Sequence, residues 1–269
     1  MITVGAARQP FASLFGEYRS YGTLFLFLTI RDLKLRFRQT AIGVAWAIVQ
    51  PLMPMLIFAA IFATVLRPGT GNIPYPIFVL SGLAPWAFFA NAVTIASGAF
   101  IANYSLLNKV YFPRAILPIA SVAACIFDWL ISTVFLICVM LWQGFHPLAS
   151  WLLLPAPILA GILLAMAVGL AAASLIVMYR DLKHLFPFLV QIWMYVTPVI
   201  YPASLIPKRA QWAAGFNPMT GVVEAYRWCL FGEGADLHSI ELSFVSLILF
   251  VTAALLVFQH LESDLAERA

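Results

Sequence analysis

Charge is scarce in this chain. Lys and Arg number 15 and Asp and Glu 11 among 269 residues, together 10% of the sequence, where an average soluble domain carries about 25%. What charge there is lies in clusters. No Asp, Glu, Lys or Arg occurs in 39–66, 68–108, 129–179, 184–207 or 242–261. A membrane crossing needs about 20 apolar residues, so each gap can hold one, and the longer gaps can hold more than one helix. A water-soluble globular core is excluded, and a polytopic membrane protein is implied.

Other absences narrow the function. The three cysteines, Cys125, Cys138 and Cys229, are too few and too scattered for a disulfide framework or a metal site. His146, His184, His238 and His260 show no metal-ligand spacing. No Gly-Lys pair occurs anywhere, so the G-x-x-x-x-G-K-[ST] phosphate loop is missing. If ATP drives this protein, another chain binds it. No paired acids and no His/Asp constellation stand near one membrane face, which argues against a membrane glycosyltransferase or acyltransferase. The opening MITVGAARQPF has no short apolar core with a cleavage site, so no signal peptide is expected. The net charge of +4 is modest and sits at membrane edges, which reads as topology and not as a nucleic-acid footprint.

What is present starts with Arg31 to Pro54, RDLKLRFRQTAIGVAWAIVQPLMP. Arg31, Lys34, Arg36 and Arg38, offset only by Asp32, stand directly before an apolar run. Such cations hold their end of a span on the cytoplasmic side. Upstream, Phe11, Leu14, Phe15 and Tyr18 share one helical face, fit for an amphipathic helix in the interface plane. The run 23–30 is too short to span and is expected to continue that surface helix or dip shallowly. Asp32 and Arg36 are spaced for an i,i+4 pair.

Six spans are expected: 41–66, broken near its middle by Pro51 and Pro54, then 75–101, 115–142, 152–178, 185–201 and 240–260. Both termini then lie inside. Arg8, Arg19, Arg31, Lys34, Arg36, Arg38, Lys109, Arg114, Arg180, Lys183 and Arg268 fall inside, and only Arg67, Lys208, Arg209 and Arg227 outside, as the positive-inside rule requires. Residues 197–234 are too apolar for an exposed loop and too broken by proline for a plain span. Pro202 or Pro207 can break a short helix, and Asn217-Pro218 reads as a turn between two. Either two re-entrant half-helices or an amphipathic cap fits; re-entrant backbone survives only where protein or a cavity surrounds it.

Three stretches together carry a resemblance. RDLKLRFRQTAIGVAWAIVQP (31–51), NYSLLNKVYFPRAILP (103–118) and TPVIYPASLIP (197–207) followed by NPMTGVVEAYRWCLFG (217–232) resemble the membrane subunit of ABC-2 type polysaccharide exporters. That group exports O-antigen, teichoic acid and capsule chains. The resemblance covers nearly the whole chain and implies a single all-α transmembrane domain, 1–269. Within it, 1–40 is a cytoplasmic interface segment and 41–196 holds spans 1–5. An outer re-entrant segment follows at 197–235, and 236–269 holds span 6 and a cytoplasmic tail. It further implies a bacterial inner-membrane homodimer joined by two copies of an ABC ATPase subunit. ATP and Mg would sit on that partner, with no cofactor on this chain. The cargo would be an undecaprenyl-diphosphate-linked glycan, O-antigen preferred on overall similarity.

Candidate residues follow. Leu106, Leu107, Val110 and Tyr111 make one apolar face of the loop 103–114, with Lys109 and Arg114 beside it. The null for such a face is headgroup contact; the resemblance makes it the ATPase-coupling loop. Trp46 and Gln50 share a face of span 1, and Trp86, Phe89, Trp193 and Tyr195 offer flat rings for sugar stacking; each could equally pack a core or an interfacial belt. Tyr201, Asn217, Glu224 and Arg227 are outer-gate candidates by resemblance, with Glu224 and Arg227 spaced to pair locally. Arg31 and Arg38 either attract a lipid diphosphate or anchor topology. Asp128 is the only acid in a span core. It is either a structural partner at a helix interface or a proton site, the latter pointing to a proton-coupled transporter as the rival function.

Overall fold

The computed structural model describes residues 21–37, 43–65, 73–107, 109–110, 112–232 and 237–268. The interfacial face at 11–18, and with it Arg38 and Tyr111, lie outside the described residues. The described chain is helical, as lipid demands: with no water to bond free N–H and C=O groups, a crossing segment must satisfy its backbone internally. Nine helices of eight residues or more are described: α1 (Gly22–Phe37), α2 (Trp46–Val65), α3 (Tyr75–Ser97), α4 (Ile116–Trp142), α5 (Pro155–Met178), α6 (Leu182–Val196), α7 (Lys208–Gly215), α8 (Pro218–Phe231) and α9 (Leu237–Arg268).

Four of the described segments are long and apolar enough to cross a membrane: Tyr75–Ser97, Ile116–Trp142, Ala149–Met178 and Ile240–Leu261. The chain is therefore a multi-pass membrane protein. Two other expected spans form helices of 20 and 15 residues, α2 and α6. The 15 residues of α6 reach about 22 Å at 1.5 Å per residue, less than a 30 Å hydrocarbon layer. In α2, Pro51 and Pro54 lie inside one continuous helix, which corrects the expected break. Pro51 has no N–H for the carbonyl of Ala47. Ser132 of α4 takes over, its hydroxyl donating to Ala47 O at 2.8 Å. A neighbour's serine is a common remedy for proline in a membrane helix.

The hub is α3, which packs against α2, α4, α5, α6 and α8. It buries Phe78, Trp86, Phe88, Phe89 and Val93 among others. Close approach comes from small residues. Along α5, Gly161, Ala165, Gly169 and Ala173 recur every fourth residue and all are buried, a small-xxx-small stripe. A Cβ at Gly169 would stand 2.8 Å from Ala96 Cβ on α3, and one at Gly161 2.8 Å from the Trp129 ring on α4. A second apolar cluster closes the end where α3 finishes and α4 begins. There Leu28 of α1 joins Phe100, Phe112, Ile116, Leu117, Leu170 and Phe258, with Tyr21, Leu24 and Phe25 packed against it. The opposite side of α1 exposes Leu26, Phe27, Ile30 and Leu35. A helix apolar on both sides suits a lipid surround better than water.

Helices α8 and α9 approach closely at Gly221, where a Cβ would lie 2.3 Å from Ser243 Cβ. Gly221→Ala should therefore cost about 1–3 kcal/mol of stability, the usual range for overpacking. Gly98→Ala, whose Cβ would meet only Ile95 O at 3.7 Å, should be near neutral. Thermal unfolding in detergent followed by tryptophan fluorescence checks both; equal midpoints would mean that α8 is free to shift from α9.

Candidate functional site: a buried arginine hairpin

The segment after α6 holds two helices, the second of which carries a buried arginine. Lys208–Gly215 and Pro218–Phe231 are separated by Phe216 and Asn217, so the expected Asn-Pro turn is where the chain reverses. Asn217 caps α8: its Oδ1 accepts from Met219 N at 3.1 Å, and Pro218 occupies the first helical position, where no N–H is needed. The same Oδ1 accepts from Trp193 Nε1 at 2.9 Å, while Nδ2 donates to Thr197 Oγ1 at 2.9 Å. One amide thus ties the start of α8 to the end of α6. Ser243 of α9 donates to Gly215 O and Asn217 O, at 2.7 and 3.1 Å.

The far end of α8 is closed as carefully. Gly232 takes the left-handed conformation, φ 73°, and its N–H returns to Trp228 O. Ser150 and Trp151 donate to Cys229 O and Leu230 O at 2.8 and 2.9 Å. A 14-residue helix with both ends satisfied and residues 218–227 buried can sit inside a membrane protein without spanning it.

At its centre is Arg227, only 4% exposed. A guanidinium has five N–H donors, and five acceptors surround this one. Nη1 donates to Pro198 O at 2.7 Å and Glu224 Oε1 at 3.2 Å. Nη2 donates to Val199 O at 2.5 Å and Phe78 O at 3.3 Å, and Nε to Ser81 Oγ at 3.4 Å. The guanidinium carbon stands 3.7 Å over the Phe78 ring, a cation–π contact. Glu224 is buried too, at 6%, so the local pair is a core ion pair and not a surface one. Gly82 makes the site possible: a Cβ there would lie 2.4 Å from Val199 O and 2.6 Å from Arg227 Nη2.

The aromatic candidates divide. Trp86, Phe89 and Trp193 come together: Phe89 lies 5.6 Å from the Trp86 ring and 5.2 Å from that of Trp193. Trp86 and Phe89 are buried in the bundle, so in this conformation they are core. Trp46 and Tyr195 are 52% and 54% exposed, and Gln50 is half-buried. Tyr201 donates to Tyr195 O and Val196 O, at 3.1 and 3.4 Å, covering the frayed end of α6.

In the loop 103–114 the helix is one turn, Tyr104–Leu107. Leu106 and Leu107 pack inward on the cluster that holds α1. The exposed side is Tyr104, Lys109 and Val110, not the leucine face that the spacing suggests. Arg114 is half-buried, with Nη1 unpartnered among the described residues.

Arg31 is bonded to Asp32 at 2.8 Å. Arg36 does not use the i,i+4 carboxylate; it pairs with Asp128 on α4. The intramembrane acid therefore has a counter-ion. Among the described residues no group of His, Cys, Asp or Glu could hold a metal. Missing from the sequence-derived candidates were Ser81, Gly82, Thr197 and Ser243. A Ser-Gly pair inside an apolar span was the available signal for the first two.

Arg227→Leu should cost about 3–5 kcal/mol, because Glu224 is left as a buried, unpaired charge. Arg227→Lys should be intermediate, since an ammonium has three donors and no planar fork. Detergent melting curves compare the three; a lysine variant as stable as the parent would mean that charge alone holds the hairpin.

The ABC-2 type transporter family matches residues 23–231. The O-antigen export system permease protein RfbA of Klebsiella pneumoniae is 26% identical over 245 residues, covering 91% of this chain and 94% of that protein. The RfbA of Myxococcus xanthus is 30% identical over 213 residues, covering 78% and 81%. The polysialic acid transport protein KpsM of Escherichia coli is 27% identical over 237 residues, covering 85% and 90%. The match runs from α1 to the end of the arginine hairpin, and the chain belongs to the ABC-2 type transporter family.

Proposed function

We propose that this chain is the membrane subunit of an ATP-driven exporter that carries a lipid-linked polysaccharide, an O-antigen chain, across a bacterial inner membrane. The observation that carries this is length: permeases of O-antigen export align along nine-tenths of both chains, so the whole architecture is shared. ATP hydrolysis falls to a separate ABC subunit, with two copies serving a homodimer of this chain; the lack of a phosphate loop in this sequence agrees with that reading. In this reading the four long spans are joined by α2 and the 15-residue α6 as fifth and sixth crossings, with both termini cytoplasmic. A capsular polysaccharide is the second reading, favoured by the 27% identity to KpsM.

Within this scheme the hairpin of α7 and α8 closes the outer end of the path, with Tyr201, Asn217, Glu224 and Arg227 setting its position. Trp46, Gln50 and Tyr195 present the exposed polar and aromatic edges from which a sugar chain can be handled. Trp86, Phe89 and Trp193 would meet it only if the bundle parts. Arg31 and Arg38 are the cations that would attract the diphosphate at the cytoplasmic end. The loop 103–114 meets the ATPase through Tyr104, Lys109 and Val110, while Leu106 and Leu107 hold it on the bundle.

Co-expression with the O-antigen ATPase subunit of a related system should yield a stable complex. Tyr104→Glu with Val110→Glu should lower co-purification at least about tenfold, as loss of two central apolar contacts does at small interfaces. The parent chain, with that ATPase, should restore surface O-antigen to a cell lacking its own permease. Restoration of capsule but not of O-antigen would select the second reading. A chain that binds no ABC ATPase would end both.

A further inference from the structure

One face of α4 is polar where a lipid-facing helix should not be. Ser121, Cys125, Asp128 and Ser132 fall at i, i+4, i+7 and i+11, a single stripe. Three of them reach outside the helix. Ser121 Oγ donates to Asp32 Oδ2 of α1 at 3.0 Å. Asp128 pairs with Arg36 of α1. Ser132 donates to Ala47 O at 2.8 Å, the carbonyl that Pro51 leaves free at the start of α2. Asp32 is held in turn by Arg31, from Nε at 3.0 Å and Nη2 at 2.8 Å. Later residues of α1 meet later residues of α4, so the two helices run side by side in the same direction.

The apolar contacts of α1 alone would not fix its register. Tyr21, Leu24, Phe25 and Leu28 lie on a greasy surface, and apolar contact has no direction. The polar rungs do. Sliding α1 by one turn would strand Arg36 and Asp128, each less than a quarter exposed, without partners beside lipid. Breaking such a pair is far more costly than shifting apolar neighbours.

We propose that the stripe makes α1, α4 and the start of α2 one mechanical unit during transport, with Arg36 and Asp128 as its positioning pair. Movement delivered to α1 from the cytoplasmic side then passes to the bundle without slip. It reaches α4 through Asp128 and α2 through Ser132. The contact stays closed throughout the cycle; it is not a latch that opens. This rests on the exporter reading above, because it concerns how a partner's ATP cycle reaches the path.

The test is a removable bridge at the pair. Arg36→Cys and Asp128→Cys are combined in a chain whose Cys125, Cys138 and Cys229 are alanine, and the complex with its ATPase is assayed for glycan export per ATP hydrolysed. Without a bridge, export per ATP should fall about tenfold, within the span of ordinary coupling energies. A short thiol-reactive cross-linker between the two cysteines should restore it, and a reducible version should lose it again on reduction. A bridge that blocks export, or fails to restore it, overturns the proposal. The exchanged pair, Arg36→Asp with Asp128→Arg, is the check on folding. If it co-purifies with the ATPase it should export near the parent level; a stable complex of that variant that hydrolyses ATP but does not export also overturns the proposal. The exporter reading fails separately, and only if the parent complex itself neither hydrolyses ATP nor exports.

Discussion

The structure turns on a single guanidinium with no unused hydrogen. Arg227 is buried in a protein that has little water to offer it, so each N–H must meet an acceptor. Three of the five are backbone carbonyls, two of them from Pro198 and Val199, just past the end of α6. A continuous helix through 197–199 would have spent those carbonyls internally. The break after α6 and the burial of the arginine are therefore two sides of one constraint. Gly82 follows from it, because any side chain there would occupy the place of Val199 O. So does Glu224, which supplies the compensating charge three residues earlier on the same helix.

Backbone groups that lose their helical partners are met by side chains across the fold. Ser132 answers for Pro51, Trp151 and Ser150 for the end of α8, and Tyr201 for the end of α6. Tyr75 donates to Ile200 O at 2.9 Å in the same broken stretch. Several of these interruptions are met by a donor from another part of the fold. The breaks thereby become the points that fix how the helices sit against one another. Apolar packing brings the bundle together, and these bonds choose one arrangement of it.

Much of this was legible in the sequence, for reasons that also mark its limit. Long charge-free gaps betray crossing helices because charge is costly in lipid. The Asn217-Pro218 turn was visible because capping and proline chemistry are local. Local signals misled where the remedy came from afar. Pro51 and Pro54 suggested a break, since nothing near them in the sequence offers the donor that Ser132 provides. Arg36 seemed committed to Asp32, four residues away, and Asp128 seemed alone, because their true partnership joins residues 92 positions apart. Glu224 and Arg227 were rightly spaced to meet, but spacing does not tell a buried pair from a surface one. The leucines of 103–114 make an apolar face, and an apolar face is equally satisfied by its own bundle: Leu106 and Leu107 pack on the cluster of Phe100, Phe112 and Ile116.

The hydroxyl of Ser243 holds two carbonyls on either side of the turn between α7 and α8. It belongs to α9, which is synthesised after the hairpin. Until that helix leaves the ribosome and enters the bilayer, the turn lacks its donor and α8 lacks the wall against which Gly221 packs. The hairpin settles against that wall once α9 is in place. Biogenesis thus finishes out of order: a later segment completes the turn before it, and a nascent chain stalled ahead of Ser243 would hold about nine-tenths of the 269 residues, with every acceptor of Arg227 already made and the turn still without its donor.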